Sequence, residues 1–216
     1  MAICSTPSSG LGSTIITLRA ATAECTCHHH WMALTQYFVA STLDGFIADP
    51  DDDLSWLLQF DASFDPDGVG DANPYEGFIA NVSVLAMGST TYEWIQQHDP
   101  GRWSYGDRPT YVFTHRALDP IEGANLVFTS DPVTDVHAAM TGAAGDGNIW
   151  LVGGGELVGQ FLDHGLLDEV WLTLAPVTLG AGAPLLPRRH TTPMRLLSAV
   201  ASPNGTFAHM RYRVSR

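Results

Sequence analysis

The sequence predicts an α/β fold: a mostly parallel sheet, covered by helices on both faces and finished by an antiparallel hairpin. Three observations carry that expectation. Short, almost wholly apolar runs such as Val82-Ser83-Val84-Leu85-Ala86-Met87 alternate with helix-like stretches, the pattern of strands buried on both faces and joined by crossover helices. Glycine- or hydroxyl-rich turns follow two of these runs, at residues 88–91 and 153–155, where the chain would leave a strand and start a helix. Near the C-terminus, two strand-like runs flank Ser202-Pro203-Asn204-Gly205, which has the composition of a hairpin turn.

Taken in order, Tyr37-Phe38-Val39-Ala40 reads as a buried strand feeding the turn residues Leu43-Asp44-Gly45. The acidic turn Asp49-Pro50-Asp51-Asp52-Asp53 precedes Leu54-Ser55-Trp56-Leu57-Leu58, and acid ahead of an apolar run marks a helix start. A polar loop over 65–74 leads to a short helix over 75–80. The strand at 82–87 turns through Gly88-Ser89-Thr90-Thr91 into another helix. Strands are expected at 109–114 and 125–129, then a helix over 131–143 with Asp131 as its cap and Pro132 in its first position. The strand at 148–152 runs into Gly153-Gly154-Gly155-Glu156, which launches a helix with Leu157, Val158, Phe161 and Leu162 on one face and Gly165 to stop it. Strands at 170–175, 194–201 and 206–214 complete a set of about seven.

A chain of 216 residues is enough for one ordinary domain with a sizeable core. Residues 1–31, rich in Ser, Thr and Ala, differ from the remainder and are expected to be a disordered extension, with the domain over 32–216. The three cysteines, Cys4, Cys25 and Cys27, all fall in that extension, so a disulfide framework or a core zinc-thiolate site is not expected. The Cys25-Thr-Cys27-His28-His29-His30 cluster lacks a second ligand pair at finger spacing, and no metal is expected. The apolar run around Leu18 has no basic segment ahead of it, and no stretch approaches a spanning helix, which points to a cytoplasmic protein with no membrane partner.

All ten basic residues are arginines. Without lysine there is no Schiff base to pyridoxal phosphate, no phosphate-loop lysine and no Ser-Lys dyad. A formal charge of −13 argues against nucleic acid as a partner. Any anionic ligand has to be held locally, by arginines or backbone amides.

The strongest local feature is Trp150-Leu151-Val152-Gly153-Gly154-Gly155-Glu156-Leu157: a buried strand, three glycines, then an amphipathic helix. Glycines let a phosphate approach the backbone, and a helix N-terminus offers unpaired N–H groups at its positive end. The competing reading is that the glycines only permit a tight turn. The G-x-G-x-x-G spacing of a dinucleotide fold is missing, and no acid follows the next strand at Ala175-Pro176. The zincin, G-x-S-x-G and zinc-deaminase motifs are also missing. A second turn, Gly88-Ser89-Thr90-Thr91, places hydroxyls on a first helical turn, for capping or for phosphate binding. A third strand end carries Thr114-His115-Arg116. Three such ends on one sheet would line a cleft for an extended phosphorylated cofactor.

These motifs, in this order, resemble the dihydrofolate reductase-like superfamily. The likeness is nearest to the reductase half of the riboflavin-pathway bifunctional deaminase-reductase and its stand-alone relatives. It rests on Ser41-Thr42-Leu43-Asp44-Gly45-Phe46-Ile47-Ala48, the turn at 87–93, and the stretch from Val152 through Gly165-Leu166-Leu167-Asp168-Glu169 to Ala175-Pro176-Val177-Thr178-Leu179-Gly180. The resemblance implies a dihydrofolate reductase-like sheet and an NADPH-dependent reductase acting on a small heterocyclic or ribosylamino molecule. Reduction of 5-amino-6-(5-phosphoribosylamino)uracil is the nearest precedent. By the same likeness Val152, Gly153, Gly154, Gly155, Glu156 and Leu157 would receive the diphosphate and ribose. Gly88, Thr90 and Thr91 would lie across from them. Thr114, His115 and Arg116 would hold the adenosine end, and the Ala40 backbone the nicotinamide amide. Ser89 stands where dihydrofolate reductases often carry a basic residue, leaving Arg116 as the compensating cation.

On the substrate side, Asp53 and Trp56 resemble the helix start that carries a pterin-binding carboxylate, and Thr173 the threonine that supports it. A buried acid would suit reduction of a C=N bond. Asp53 has a second reading as a helix-dipole partner, and Asp44 reads either as a substrate-polarising acid or as a turn former. The loop before Asp53 lacks the Trp-Asn-Leu-Pro segment of dihydrofolate reductases, which points away from folate. The Arg188-Arg189 pair reads as a solvated loop or a phosphate contact, and His98, His137, His164, His190 and His209 show no ligand spacing and need no special role. A dihydrofolate reductase proper and a noncatalytic nucleotide-binding protein are the alternatives. Related reductases commonly pair as homodimers.

Overall fold

The computed structural model describes residues 33–60 and 74–216. The expected extension over 1–31, the domain start at Met32, the Cys25–His30 cluster and nearly all of the 65–74 loop lie outside the described residues. The elements are β1 (Thr35–Thr42), β2 (Phe46–Ala48), α1 (Ser55–Leu58), α2 (Pro74–Ile79), β3 (Val82–Gly88), α3 (Ser89–His98), β4 (Thr110–Phe113) and β5 (Leu126–Thr129). They continue with α4 (Val133–Ala144), β6 (Asn148–Gly153), α5 (Gly155–Asp163), β7 (Glu169–Ala175), β8 (Ala183–Pro184), β9 (Arg195–Ala201) and β10 (Ala208–Arg213).

Eight strands form one sheet in the order β5-β4-β3-β6-β1-β7-β10-β9, and β2 pairs with β8 in a small second sheet. Pairings from β5 to β7 are parallel, while β10 runs antiparallel to both β7 and β9. The central strands β3 and β6 are buried along almost their whole length, as their apolar runs require. The edge strand β9 is exposed at all seven positions, including Leu196, Leu197 and Val200.

Alternation along β1 assigns the two faces. Tyr37 packs with Val136 and Met140 of α4 and with Val158 and Phe161 of α5, the apolar stripe expected for that helix. Each fully buried side chain of this kind contributes about 1.5–3 kcal/mol. Phe38 faces the opposite layer, stacked on Phe78 of α2 at 4.6 Å and close to Trp150 and Trp171. Helix α5 ends as expected. Gly165 takes a φ of +65°, its N–H bonds the Leu162 carbonyl, and the Leu166 N–H returns to the Phe161 carbonyl.

Two expectations are corrected. Helix α4 begins at Val133, with Pro132 rather than Asp131 at the cap position and no side-chain cap. The extended ψ of Pro132 (144°) turns its carbonyl toward the N–H groups of Asp135 and Val136, so the proline itself starts the helix. The final strand starts at Ala208 rather than 206, because Ser202 and Phe207 close the hairpin around Gly205.

Candidate active site

Strands β3 and β6 are adjacent and parallel, so their C-terminal ends deliver two helix starts to one place. Met87 is in register with Gly153, and a methyl group placed on Gly88 would lie 3.9 Å from both the Gly153 oxygen and the Gly154 nitrogen. The N-cap residues, Gly88 of α3 and Gly154 of α5, share an extended conformation (φ −81° and −84°), and neither helix has a side-chain cap. Between them lies a cavity of about 520 Å³, lined by Gly88, Thr90, Thr91, Gly154, Glu156 and Leu157 and closed by Thr114, His115 and Arg116 at the end of β4. First-turn N–H groups have no intrahelical partner, so both helix starts border this space with open donors.

Val152, Gly153, Gly155 and Ala40 do not line the cavity. Gly153 shapes the turn with φ +152°, and its peptide bond to Gly154 is cis. Gly155 is buried, and a Cβ there would meet the Pro184 oxygen at 2.3 Å, so this glycine allows β8 to pack against the helix start. Val152 is half-buried beneath the turn, and Ala40 lies on β1 beside Thr173. The walls also include Ser130 and Gln160, which sequence reasoning did not single out, and Asp131, which it took only for a helix cap. They reach the cavity only because β5 and α5 converge on it.

Three of the polar side chains around the cavity, those of Thr114, Arg116 and Glu156, are already engaged. Arg116 donates to Glu93 at 2.6 Å. The Thr114 hydroxyl accepts from the Arg116 N–H at 2.9 Å, closing the loop on itself. Glu156 accepts two bonds from Arg188, whose guanidinium also donates to Asp163 at 2.7 Å and lies over Gly159. Arg188 therefore straps α5 instead of waiting for a phosphate, and its hydrogen bonds hold the Glu156 carboxyl below the ordinary carboxylate range.

The substrate-side carboxylates bond to nearby backbone. Asp44 accepts from the Thr42 hydroxyl at 2.5 Å and from the N–H groups of Leu179 (3.0 Å) and Gly180 (2.7 Å). The Thr42 bond is the chief reason its pKa is lowered. Asp53 is exposed and accepts from the Ser55 N–H, which lowers its pKa as well. Both carboxylates are held ionised and occupied with backbone donors, the turn-forming and helix-starting reading of each.

The expected pairing of Thr173 with Asp53 is replaced by a bond to His209, Oγ1 to Nδ1 at 3.0 Å. Ala40, Thr173 and His209 are register partners across β1, β7 and β10, one row on the α2 side of the sheet. Trp56 is buried against Ala175 and Phe207, with Ala40 packed on the same cluster. His209 is the residue that sequence reasoning passed over. Its place depends on an antiparallel register that no local motif encodes.

The RibD C-terminal domain family matches residues 34–208, nearly all of the described chain. The chain belongs to that family. It is 34% identical over 151 residues to the uncharacterized protein YwjB of Bacillus subtilis (strain 168), a match covering 70% of this chain and 81% of YwjB. Among solved structures, a putative riboflavin biosynthesis protein from Shewanella sp. PV-4 has a TM-score of 0.68 at 24% identity, covering 85% of this chain and 99% of that one. The dihydrofolate reductase of Enterococcus faecalis, solved with NADP(H), has a TM-score of 0.57 at 14% identity over 86% and 99% of the two chains. The dihydrofolate reductase-like fold expected from the sequence is the one observed, and membership of this family supports a reductase-type function. Among the described residues, no helix is long and apolar enough to cross a membrane.

Proposed function

We propose that this protein is an NADPH-dependent reductase of a small heterocyclic or ribosylamino substrate, most like a 5-amino-6-(5-phosphoribosylamino)uracil reductase. The observation that carries the reading is the cavity between two helix starts whose caps are glycines and whose first-turn amides no side chain closes. A diphosphate fits such a place, because it needs several convergent N–H donors and close backbone approach more than it needs fixed cations. The amides of residues 89–91 and 155–157 would grip the diphosphate from opposite sides. Arg116 and His115 lie at the end suited to the adenosine 2′-phosphate.

Ala40 lies on β1, the strand next to β6, and its backbone would orient the nicotinamide amide. When bound, the reduced nicotinamide supplies a hydride. The protein's part is alignment against the Thr173 row and exclusion of water by Trp56 and Phe207. Asp44 and Asp53 serve this reading as fixed points for the loops around the site rather than as proton donors.

Solved relatives lend the substrate class. The Thermotoga maritima deaminase/5-amino-6-(5-phosphoribosylamino)uracil reductase has a TM-score of 0.60 at 16% identity, with 85% of this chain matching 57% of that one. The reading also includes a cytoplasmic location and a homodimer formed along the exposed, apolar β9 edge.

Titration with NADPH, followed by nicotinamide fluorescence, tests cofactor binding. NADPH oxidation against the uracil intermediate and dihydrofolate then separates the alternatives. Turnover of the uracil intermediate supports the proposal, turnover of dihydrofolate alone replaces it with a dihydrofolate reductase, and binding without turnover favours a nucleotide-binding protein.

A further inference from the structure

Glu156 poses a problem for the helix start that borders the cavity. Side chains on a helix lean toward its N-terminus, so a carboxylate in the first turn of α5 would by itself lie over the open amides and satisfy the positive end of the helix. Its bonds to Arg188 lower its pKa and keep it ionised, and it lines the cavity, so an entering anion would meet a like charge on the wall.

Arg188 draws that carboxylate the other way. From the loop after β8, its Nη1 and Nη2 donate to the two oxygens of Glu156 at 2.9 and 2.5 Å, and its Nε donates to Asp163 at 2.7 Å. Glu156 and Asp163 stand two turns apart on one face of α5, and the guanidinium lies between them over Gly159. A Cβ on Gly159 would fall 2.8 Å from Cγ and 3.1 Å from Cζ of Arg188. Glycine inside a helix weakens it relative to alanine, and here the bare backbone is what lets the arginine cross.

We propose that Arg188 is a positioning residue for the cofactor: it neutralises Glu156 and holds its carboxylate over the second turn of α5, leaving the first-turn amides to an incoming diphosphate. Arg188 acts through Glu156 and does not itself touch the ligand. The inference rests on the reductase reading and deepens it by assigning the residue that keeps the anion site open.

Fluorescence titration of the full chain with NADPH, at low and at high salt, tests it through Arg188→Gln, Glu156→Gln and the double variant. Arg188→Gln is expected to weaken binding about tenfold relative to wild type at low salt, a loss that shrinks at high salt as the freed carboxylate is screened. Adding Glu156→Gln is expected to restore wild-type affinity, because the pair again contributes no net charge to the wall. Glu156→Gln alone is expected to tighten binding about threefold, since only Asp163 then opposes the guanidinium, and this variant carries the test if Arg188→Gln melts early. A double variant as weak as Arg188→Gln overturns the inference by making Arg188 a direct contact or a plain strap, and so does a Glu156→Gln protein that gains nothing. A wild-type chain that does not bind NADPH sinks the reductase reading itself, and the inference with it.

Discussion

The two sides of the site are built on opposite principles. The cavity between α3 and α5 is made of backbone: glycine caps, open amides and a close approach of two turns. The layer around Thr173 is made of side chains, His209 brought by strand register and Trp56 by the packing of α1 on Ala175 and Phe207. Backbone sites are tolerant of sequence but intolerant of added volume, whereas register-built sites depend on the identity of single side chains.

Filling the backbone side produces the largest effect. A Cβ on Gly154 meets nothing within 4 Å, so Gly154→Leu projects its side chain into open space at the helix start. NADPH affinity is expected to fall by about a hundredfold or more, the loss of several charge-assisted bonds, with little change in melting temperature. Unchanged affinity by fluorescence titration would show that the nucleotide lies elsewhere.

The neighbouring glycine separates ligand space from packing space. A Cβ on Gly155 would fall 2.3 Å from the Pro184 oxygen and 2.7 Å from the Leu185 oxygen, both backbone atoms. Gly155→Ala is therefore expected to destabilise the fold by about 1–3 kcal/mol, as overpacking does. Chemical denaturation reads that loss directly. A Gly155→Ala protein of native stability that fails to bind NADPH would put both glycines on the ligand side and erase the distinction.

That distinction also explains what was legible beforehand. Helix α5, its buried stripe and its Gly165 stop follow from periodicity over a dozen consecutive residues, as does the strand-turn-helix form of both glycine turns. Contacts that span the chain were not legible. Arg188 reads as a solvated arginine until β8 and α5 are seen to meet, and His209 as an ordinary strand residue until its register with Thr173 is known. Asp131 looked like a cap because Asp before Pro is good helix-start chemistry, yet Pro132 holds the cap position and Asp131 joins the cavity wall. Two readings of Asp44 and Asp53 stood open because a carboxylate beside a turn looks the same in sequence whether it binds backbone or substrate.

A smaller effect concerns Arg116 on the cavity wall. Arg116 is neutralised by Glu93 at 2.6 Å, and Asp131 places a carboxylate on the cavity wall. Both work against a 2′-phosphate. Glu93→Gln releases the guanidinium, and the preference for NADPH over NADH is expected to rise about threefold, within the range of a partly exposed ion pair. The ratio of the two dissociation constants is the measurement, and a ratio that falls instead would mean that Glu93 holds Arg116 in its binding position.

The smallest effect tests the loop-anchor role of Asp44. Its folded pKa is lowered, chiefly by the Thr42 hydroxyl and then by the Gly180 and Leu179 amides. A group of this kind stabilises the fold above its unfolded pKa of about 4, and the contribution fades as the pH falls through the lower folded value. Asp44→Asn keeps the shape but weakens the acceptor, so it is expected to melt below the wild type at pH 7. The gap should close as the pH drops from about 4 toward 2, where the wild-type carboxyl also takes up its proton. Thermal melts across that range decide the matter. A gap that stays constant with pH would mean that the loop is held by packing and that the Asp44 charge is left for substrate, restoring to the side-chain half of the site an acid that the observed bonding assigns to the backbone.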